Sequence, residues 1–254
     1  MERKKCIKYL IFGWLILTGL PGLQAQSNPR EQVYDAFISN RMDRWDQVIR
    51  DYERKKSTLS ESQSMQLVNF YYGYIGWAIG EDMKKEAKDY LKVAKELVEE
   101  LMERFPEQPD LYAYMGALLG YEIGLNKIKA VVLGPESMKN IDKAIEMDPD
   151  RPQGWIERGN ALFYMPKMFG GSKEEALEAY QKAIDLMERK PDALHKDWMY
   201  LNVLIILGQS YEKTDQLNEA KSVYDKALRI EPNMTWLRDE LYPEFMKKYR
   251  ADNE

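Results

Sequence analysis

Residues 201–234 read L-N-V-L-I-I-L-G-Q-S-Y-E-K-T-D-Q-L-N-E-A-K-S-V-Y-D-K-A-L-R-I-E-P-N-M. Apolar and small side chains recur three and four positions apart on both sides of T-D-Q. That is the spacing of a helix face, and no two-residue strand alternation competes with it. Leu204, Leu207, Gly208 and Tyr211 mark a first helix, Ala220, Tyr224 and Ala227 a second, and Pro232 stops the second. Gly208 and Ala220 stand where two antiparallel helices press closest, with Tyr211 and Tyr224 filling the space beside them. The stretch predicts a helix hairpin.

The signature recurs upstream in looser copies. Trp155, Gly159 and Leu162 are followed by Ala176, Tyr180 and Ala183, with five extra residues between Gly159 and Ala176 and a late terminal proline, Pro191. Before that, Tyr112, Met115, Gly116 and Leu119 lead across a longer insertion to Ile141, Ala144 and Pro149. Gly134-Pro135-Glu136 in that insertion predicts a helix start with proline at its first position. Ala87, Leu91 and Ala94 form the second half of a further copy, behind an aromatic helix around Tyr71 to Ile79. Asp35 to Arg54, with Trp45 and Ile49, is a degenerate unit, and Trp236 to Tyr249 predicts a capping helix bent at Pro243.

These positions match W-x2-L-G-x2-Y, then A-x3-F, then Pro, with Leu204 replacing the Trp, so the chain resembles the tetratricopeptide repeat family over most of Gln63 to Asn233. The resemblance implies an all-α solenoid of antiparallel hairpins, with lengthened inter-helix loops in the looser copies. Its first helices would line a concave groove that binds protein or peptide segments. Each hairpin has one apolar face that it cannot bury alone, so neighbours must stack into a continuous core. The expected division is a leader over 1–25, a degenerate hairpin over 26–62, about four helix pairs over 63–234, and a capping helix and tail over 235–254.

The leader differs in kind from the rest. Basic Arg3, Lys4, Lys5 and Lys8 precede an apolar run from Tyr9 to Leu20, then Pro21-Gly22 and a small residue, Ala25. This is the layout of a secretory signal peptide, with an apolar core too short for an ordinary membrane span. The expectation is an exported protein, periplasmic or secreted, with no stable membrane span once the leader is cut; Leu23 fits the cleavage rule less well than Ala would, and a leader kept as an anchor is the alternative. The single cysteine, Cys6, lies before the apolar core, so the exported part has no disulfide or thiol chemistry. The net charge of −5 becomes more acidic without the leader, which gives no electrostatic footprint for nucleic acid or for an anionic membrane.

Gly170-Gly171-Ser172-Lys173 invites a phosphate-loop reading and fails it. The glycines are adjacent, Ser precedes Lys, and a helix stands where a strand is required. As a turn the stretch makes sense: Pro166 ends one helix, the glycines permit unusual backbone angles, and Ser172-x-x-Glu175 is a capping box for the next. The lengthened turn exposes Met165, Met168 and Phe169, and Met168 and Phe169 are candidates for contact with a partner. His195, the only histidine, has no nucleophile or metal-ligand partner at useful spacing and reads as a surface residue. Carboxylate pairs such as Glu99-Glu100 and Glu174-Glu175 read as solvated faces. No enzyme, metal or cofactor is expected.

Family groove positions fall on Gln153, Ile156, Asn160, Phe163 and Tyr164 in one repeat and on Asn202, Ile205, Gln209, Glu212 and Lys213 in the next. Members of the family that clamp a C-terminal carboxylate use Lys and Asn one turn apart. Here Ile156/Asn160 and Ile205/Gln209 lack that lysine, so the resemblance implies a mixed polar and aromatic groove. The candidate contacts are Asn160, Phe163, Tyr164, Asn202, Gln209 and Lys213. A rival reading is a ligand-capturing accessory protein of a solute transport system, which would need an enclosed pocket lined by Tyr164, Trp155 and the aromatic helix.

Overall fold

The computed structural model describes residues 28–252, all helices and turns. The predicted leader lies outside the described residues. Five antiparallel hairpins follow in order: α1 (Pro29–Ile38) with α2 (Met42–Glu53), α3 (Glu61–Gly80) with α4 (Lys84–Arg104), α5 (Pro109–Leu125) with α6 (Ala130–Met147), α7 (Pro152–Tyr164) with α8 (Lys173–Glu188), and α9 (Trp198–Lys213) with α10 (Leu217–Ile230). A π-helical turn, Leu237–Leu241, then leads into α11 (Tyr242–Asp252). The architecture is an α-solenoid of tetratricopeptide type.

One contact repeats through the last three hairpins and explains their spacing. A Cβ placed on Gly208 would lie 2.5 Å from the Tyr224 ring, and one on Gly159 would lie 2.5 Å from the Tyr180 ring. One on Gly116 would meet Ile141 at 2.6 Å. In each pair the glycine is on the first helix and the large side chain on the second. The bare backbone is what allows the helices to approach, and any side chain there overpacks the seam. Phe70, Tyr71, Tyr72, Tyr74 and Ile75 are buried, so the aromatic helix α3 is an inner one.

The first-to-second-helix corners are of two kinds. Asn40, Asp82 and Asp215 each adopt positive φ, at 53°, 58° and 58°. Behind them Arg41, Met83 and Gln216 donate their N–H groups to the carbonyls of Ala36, Ala78 and Tyr211, at 2.8, 2.8 and 2.9 Å. That bond closes the helix end in a Schellman turn, using the residue types that after glycine best tolerate a left-handed backbone. The α5–α6 and α7–α8 corners abandon this turn. Between α5 and α6 the insertion is absorbed mainly into longer helices joined by a short 3-10 turn, Lys127–Lys129. Pro135 accordingly lies inside α6 and not at its first position, correcting the expected helix start. The missing proline N–H falls beside the exposed first turn of α6, where water can take the freed carbonyl.

Between α7 and α8 the corner is a loop holding a 3-10 turn, Lys167–Phe169. Gly170 has φ of 98°, and a Cβ on Gly171 would lie 1.8 Å from the Met165 carbonyl oxygen. The two glycines serve different needs, left-handed backbone and close approach. Ser172 Oγ accepts the Glu175 N–H at 3.2 Å and starts α8. The reciprocal arm of the expected capping box is not needed, because the Ser172 N–H already donates to the Leu162 carbonyl at 3.1 Å. Met165, expected to be exposed, is only partly so. The bend near Pro243 takes the form of the π-helical turn just before it.

The solenoid also turns back on itself. Arg30 on α1 reaches Asp197 Oδ2 at 2.8 Å and the Ala193 carbonyl at 2.9 Å. Lys196 pairs with Glu31 at 2.7 Å, and Tyr34 donates to Glu231 at 2.8 Å. Trp198, opening α9, meets Phe37 of α1 at 5.8 Å and Trp45 of α2 at 4.8 Å between ring centroids. The N-terminal hairpin is packed against the last repeat.

Candidate functional site: an inner polar wall and its aromatic rim

The first helices of the hairpins face inward and bring their polar residues to one wall. On α7, Gln153, Glu157 and Asn160 lie four and three positions apart, one stripe of a helix. Gln153 Nε2 donates to Glu157 Oε1 at 2.7 Å, and Asn160 Nδ2 donates to Glu157 Oε2 at 3.0 Å. Asn160 Oδ1 accepts the Tyr180 hydroxyl at 2.9 Å, while its Nδ2 also lies 3.3 Å from the Tyr72 hydroxyl oxygen. Behind Tyr72 stand Tyr114 and Tyr121, at 5.5 and 5.6 Å between centroids. Asn69 then donates to the Tyr114 hydroxyl and accepts the Trp198 indole N–H, both at 2.9 Å. The wall runs without interruption from α7 to α9 by way of α3 and α5.

Glu157 is the unusual group. It is buried, and its partners are amides and phenols with no cation among them. Burial raises its carboxyl to about 7, against the smaller opposing pull of hydrogen bonds from Asn160, Tyr72 and Gln153. The same burial pushes the phenols of Tyr72, Tyr114 and Tyr121 upward, so they remain neutral donors and acceptors. Treating carboxylates as solvated holds for Glu99, Glu100, Glu174 and Glu175, all exposed. It misses Glu157, whose only sequence signal is its place in the Gln153–Asn160 stripe.

Family groove positions divide between this wall and its rim. Gln153, Ile156 and Ile205 are buried, as the inner faces of the helices pack on one another. Asn160 is partly buried, with its amide engaged as described, and Asn202 and Gln209 are also partly covered. The C-terminal ends of α7 and α9 converge on an accessible rim. Lys213 Nζ sits 5.7 Å from the Phe163 ring centroid and 5.9 Å from that of Tyr164. Lys173 reaches Phe163 from α8 at 5.8 Å. Two aromatic rings, inclined at 77° to each other and flanked by two ammonium groups, form a small cationic platform. Tyr164 is exposed, as are Met168 and Phe169 beyond it.

Two open clefts lie elsewhere. One of about 440 Å³, between α4 and α5, is lined by Lys88, Lys92, Lys95, Glu96 and Glu122 among others, and one of about 620 Å³ lies between α11 and the end of α9. Neither is the enclosed pocket of Tyr164, Trp155 and the aromatic helix that a ligand-capturing protein would need. His195 is exposed just ahead of α9, and no cluster of three or more His, Cys, Asp or Glu side chains able to hold a metal occurs among the described residues.

Residues 201–234 match the tetratricopeptide repeat model, the same 34 positions that carry the sequence signature. The chain carries a tetratricopeptide repeat in a solenoid of that fold. Structural likeness extends the repeat beyond this match. HusA haemophore from Porphyromonas gingivalis aligns with a TM-score of 0.56 and 16% identity, over 74% of this chain and 96% of that one. A thermophilic tetratricopeptide protein from Thermus thermophilus, TTC0263, aligns at 0.52 and 14%, over 88% and 98%. Both show the fold alone. Photosystem I assembly protein Ycf3 of Synechococcus sp. (strain CC9902) is 26% identical over 102 residues, 38% of this chain. The matched stretch spans 57% of that relative's length.

Proposed function

We propose that this tetratricopeptide protein is a non-catalytic scaffold of an extracytoplasmic compartment that binds a protein or peptide segment at the rim formed by α7 and α9. The observation that carries the reading is the Phe163–Tyr164–Lys213 platform, supplied by adjacent first helices and open to solvent. Rigid aromatic rings with a cation are well suited to anchoring a partner, since they bury much area for little lost side-chain freedom. Asn202 and Gln209, on the same helix as Lys213, supply polar contacts along the segment's path. Asn160 acts from behind, holding Tyr180 and Glu157 in place. The extracytoplasmic placement rests on the basic, apolar and small-residue order of residues 3–25.

A photo-crosslinking amino acid at Tyr164, compared with one at the exposed Glu178 on α8, tests the site. Discrete adducts from position 164 that disappear in Lys213→Ala are expected. Equal adducts from both positions, or adducts indifferent to Lys213, would remove the rim assignment. Fractionation of the producing cells tests the compartment separately, and recovery of the chain with cytoplasmic markers would reject it.

A further inference from the structure

In a solenoid each hairpin packs on the next in sequence, and first helices two repeats apart face each other across the concave side. Here α3 and α7 stand in that relation, with α5 between them. α7 packs broadly on α5, α6 and α8. Toward α3 it makes a different kind of contact, between polar side-chain ends. Asn160 Nδ2 lies 3.3 Å from the Tyr72 hydroxyl oxygen, and the Tyr72 hydroxyl bonds to Glu157. One turn earlier on α3, Asn69 Oδ1 accepts the Trp198 indole N–H of α9 at 2.9 Å. The concave side is thus crossed by polar bonds between helices that are not neighbours. Gln153, Glu157, Asn160 and Tyr164 fall four, three and four positions apart on α7. The buried wall and the exposed ring of Tyr164 therefore share one face of that helix.

Glu157 is the one acid in this crossing, and no charge offsets it. It faces Tyr72 from α3, Tyr114 and Tyr121 from α5, and Tyr180 from α8, all held neutral by burial. Charged groups on the surrounding helices are engaged elsewhere. Asp110 of α5 pairs with Arg151 at 3.2 Å, Glu122 of α5 with Lys95 at 2.7 Å, and Asp142 of α6 with Arg158 at 2.6 Å. Lys173 of α8 and Lys213 of α9 lie over the Phe163 ring. No cation and no second carboxylate shifts the Glu157 carboxyl.

We infer that the Glu157–Tyr72–Asn160 junction is a proton-controlled latch on the concave groove, shut while Glu157 is protonated and released when it ionises. Three neutral donors satisfy the oxygens of the carboxylate but leave its charge uncompensated in a dry site. Water relieves that cost, and the α3–α7 junction is where water enters, because side-chain ends hold it and interlocked helix faces do not. A slight loss of curvature over α5 is enough, since the curvature of a solenoid is a sum of small rotations between repeats. Protonation shuts the latch again, because a neutral carboxyl is far less costly to bury. Burial holds the shut carboxyl at about 7, which places its ionisation near neutral pH. Release uncovers Tyr72 and Asn160 beside Tyr164 and extends the rim into a groove. That consequence rests on the rim as the binding site; the latch itself does not.

The test uses the full chain with Cys6→Ser and spin labels on Glu81→Cys and Lys167→Cys, exposed positions just past the ends of α3 and α7. Double electron–electron resonance then reads the distance between the two helix ends at about pH 6 and about pH 8.5, with no partner present. A longer-distance population should grow at the higher pH. With the carboxyl at about 7 when shut and about 4.5 when open, the ratio of open to shut should rise about tenfold. Glu157→Gln should keep the short distance at both values. Tyr72→Phe keeps the ring, removes the hydroxyl that crosses between the helices, and should show the longer population already at the lower pH. Distances that ignore pH overturn the inference, as does a Tyr72→Phe distribution identical to that of the unsubstituted junction. A pH response that survives in Glu157→Gln also overturns it and assigns the titration to another group, such as Asp110 or His195. Crosslinking from Tyr164 should strengthen between the same two pH values, and should not do so in Glu157→Gln. Labels that move with pH while Tyr164 gives no adducts at either value uphold the latch and reject the rim as the binding site.

Discussion

Glu157 shows how much a single side chain takes from its surroundings. Its carboxyl, lifted to about 7 by burial, is ionised in the unfolded chain from about 4.5 upward. Below that value both states are protonated and the group contributes nothing to pH dependence. Between the two values the native state keeps a proton that the unfolded state has released, so stability falls as pH rises, and the loss is complete above about 7. The full cost is on the order of 3 kcal/mol. Glu157→Gln should therefore flatten the stability-versus-pH curve between roughly pH 5 and 7, as measured by urea unfolding at each pH. An unchanged slope would mean that the carboxyl is hydrated in the native state. Asn160→Ala would leave Glu157 short of a donor and would affect folding, so it makes a poor probe of partner binding.

At the scale of the element, the α7–α8 corner separates residues that build the turn from residues that only stand on it. Ser172→Ala removes the acceptor for the Glu175 N–H and should cost about 1 kcal/mol. Gly171→Ala forces a methyl group against the Met165 carbonyl and should cost about 1–3 kcal/mol. Met168→Ala and Phe169→Ala, at exposed positions, should stay within about 0.5 kcal/mol of wild type. Chemical denaturation of the four variants checks the set. If Phe169→Ala proves as costly as Gly171→Ala, that ring is a packing residue and its role as a contact falls. The sequence already indicated this turn, since a double glycine before Ser-x-x-Glu has few other uses. Where α6 begins was hidden, because Pro135 resembles a helix start and only the packing of the whole pair carries the helix back to Ala130.

At the scale of the molecule, Trp198 joins the two ends of the chain. It touches α1, α2 and α3 while opening α9. Trp198→Ala should cost about 3–5 kcal/mol, as for a large aromatic lost from a core. Hydrogen exchange should then rise in α1 and α2 as well as in α9. Faster exchange confined to α9 would show that the N-terminal hairpin holds its place without the closure. The repeat pattern around Gly208 announces stacking with neighbours in sequence, but carries no signal that residues 29–53 pack against residues 191–235. That contact joins segments far apart in the chain, and no local periodicity encodes it.

Much of the protein was thus legible before its structure. Gly116, Gly159 and Gly208, each opposite a bulky residue on the next helix, set the hairpins, because a seam with no room for a Cβ constrains both partners at once. The helix start at Ser172 and the stop at Pro232 follow from equally local physics. Tertiary structure alone decided which polar residues would be buried, for that depends on what packs on the inner faces. It enclosed Gln153 and Glu157, engaged Asn160, and left Phe163, Tyr164 and Lys213 at the rim. It also brought the apolar tips of two corners onto one edge, an arrangement in space that composition cannot express.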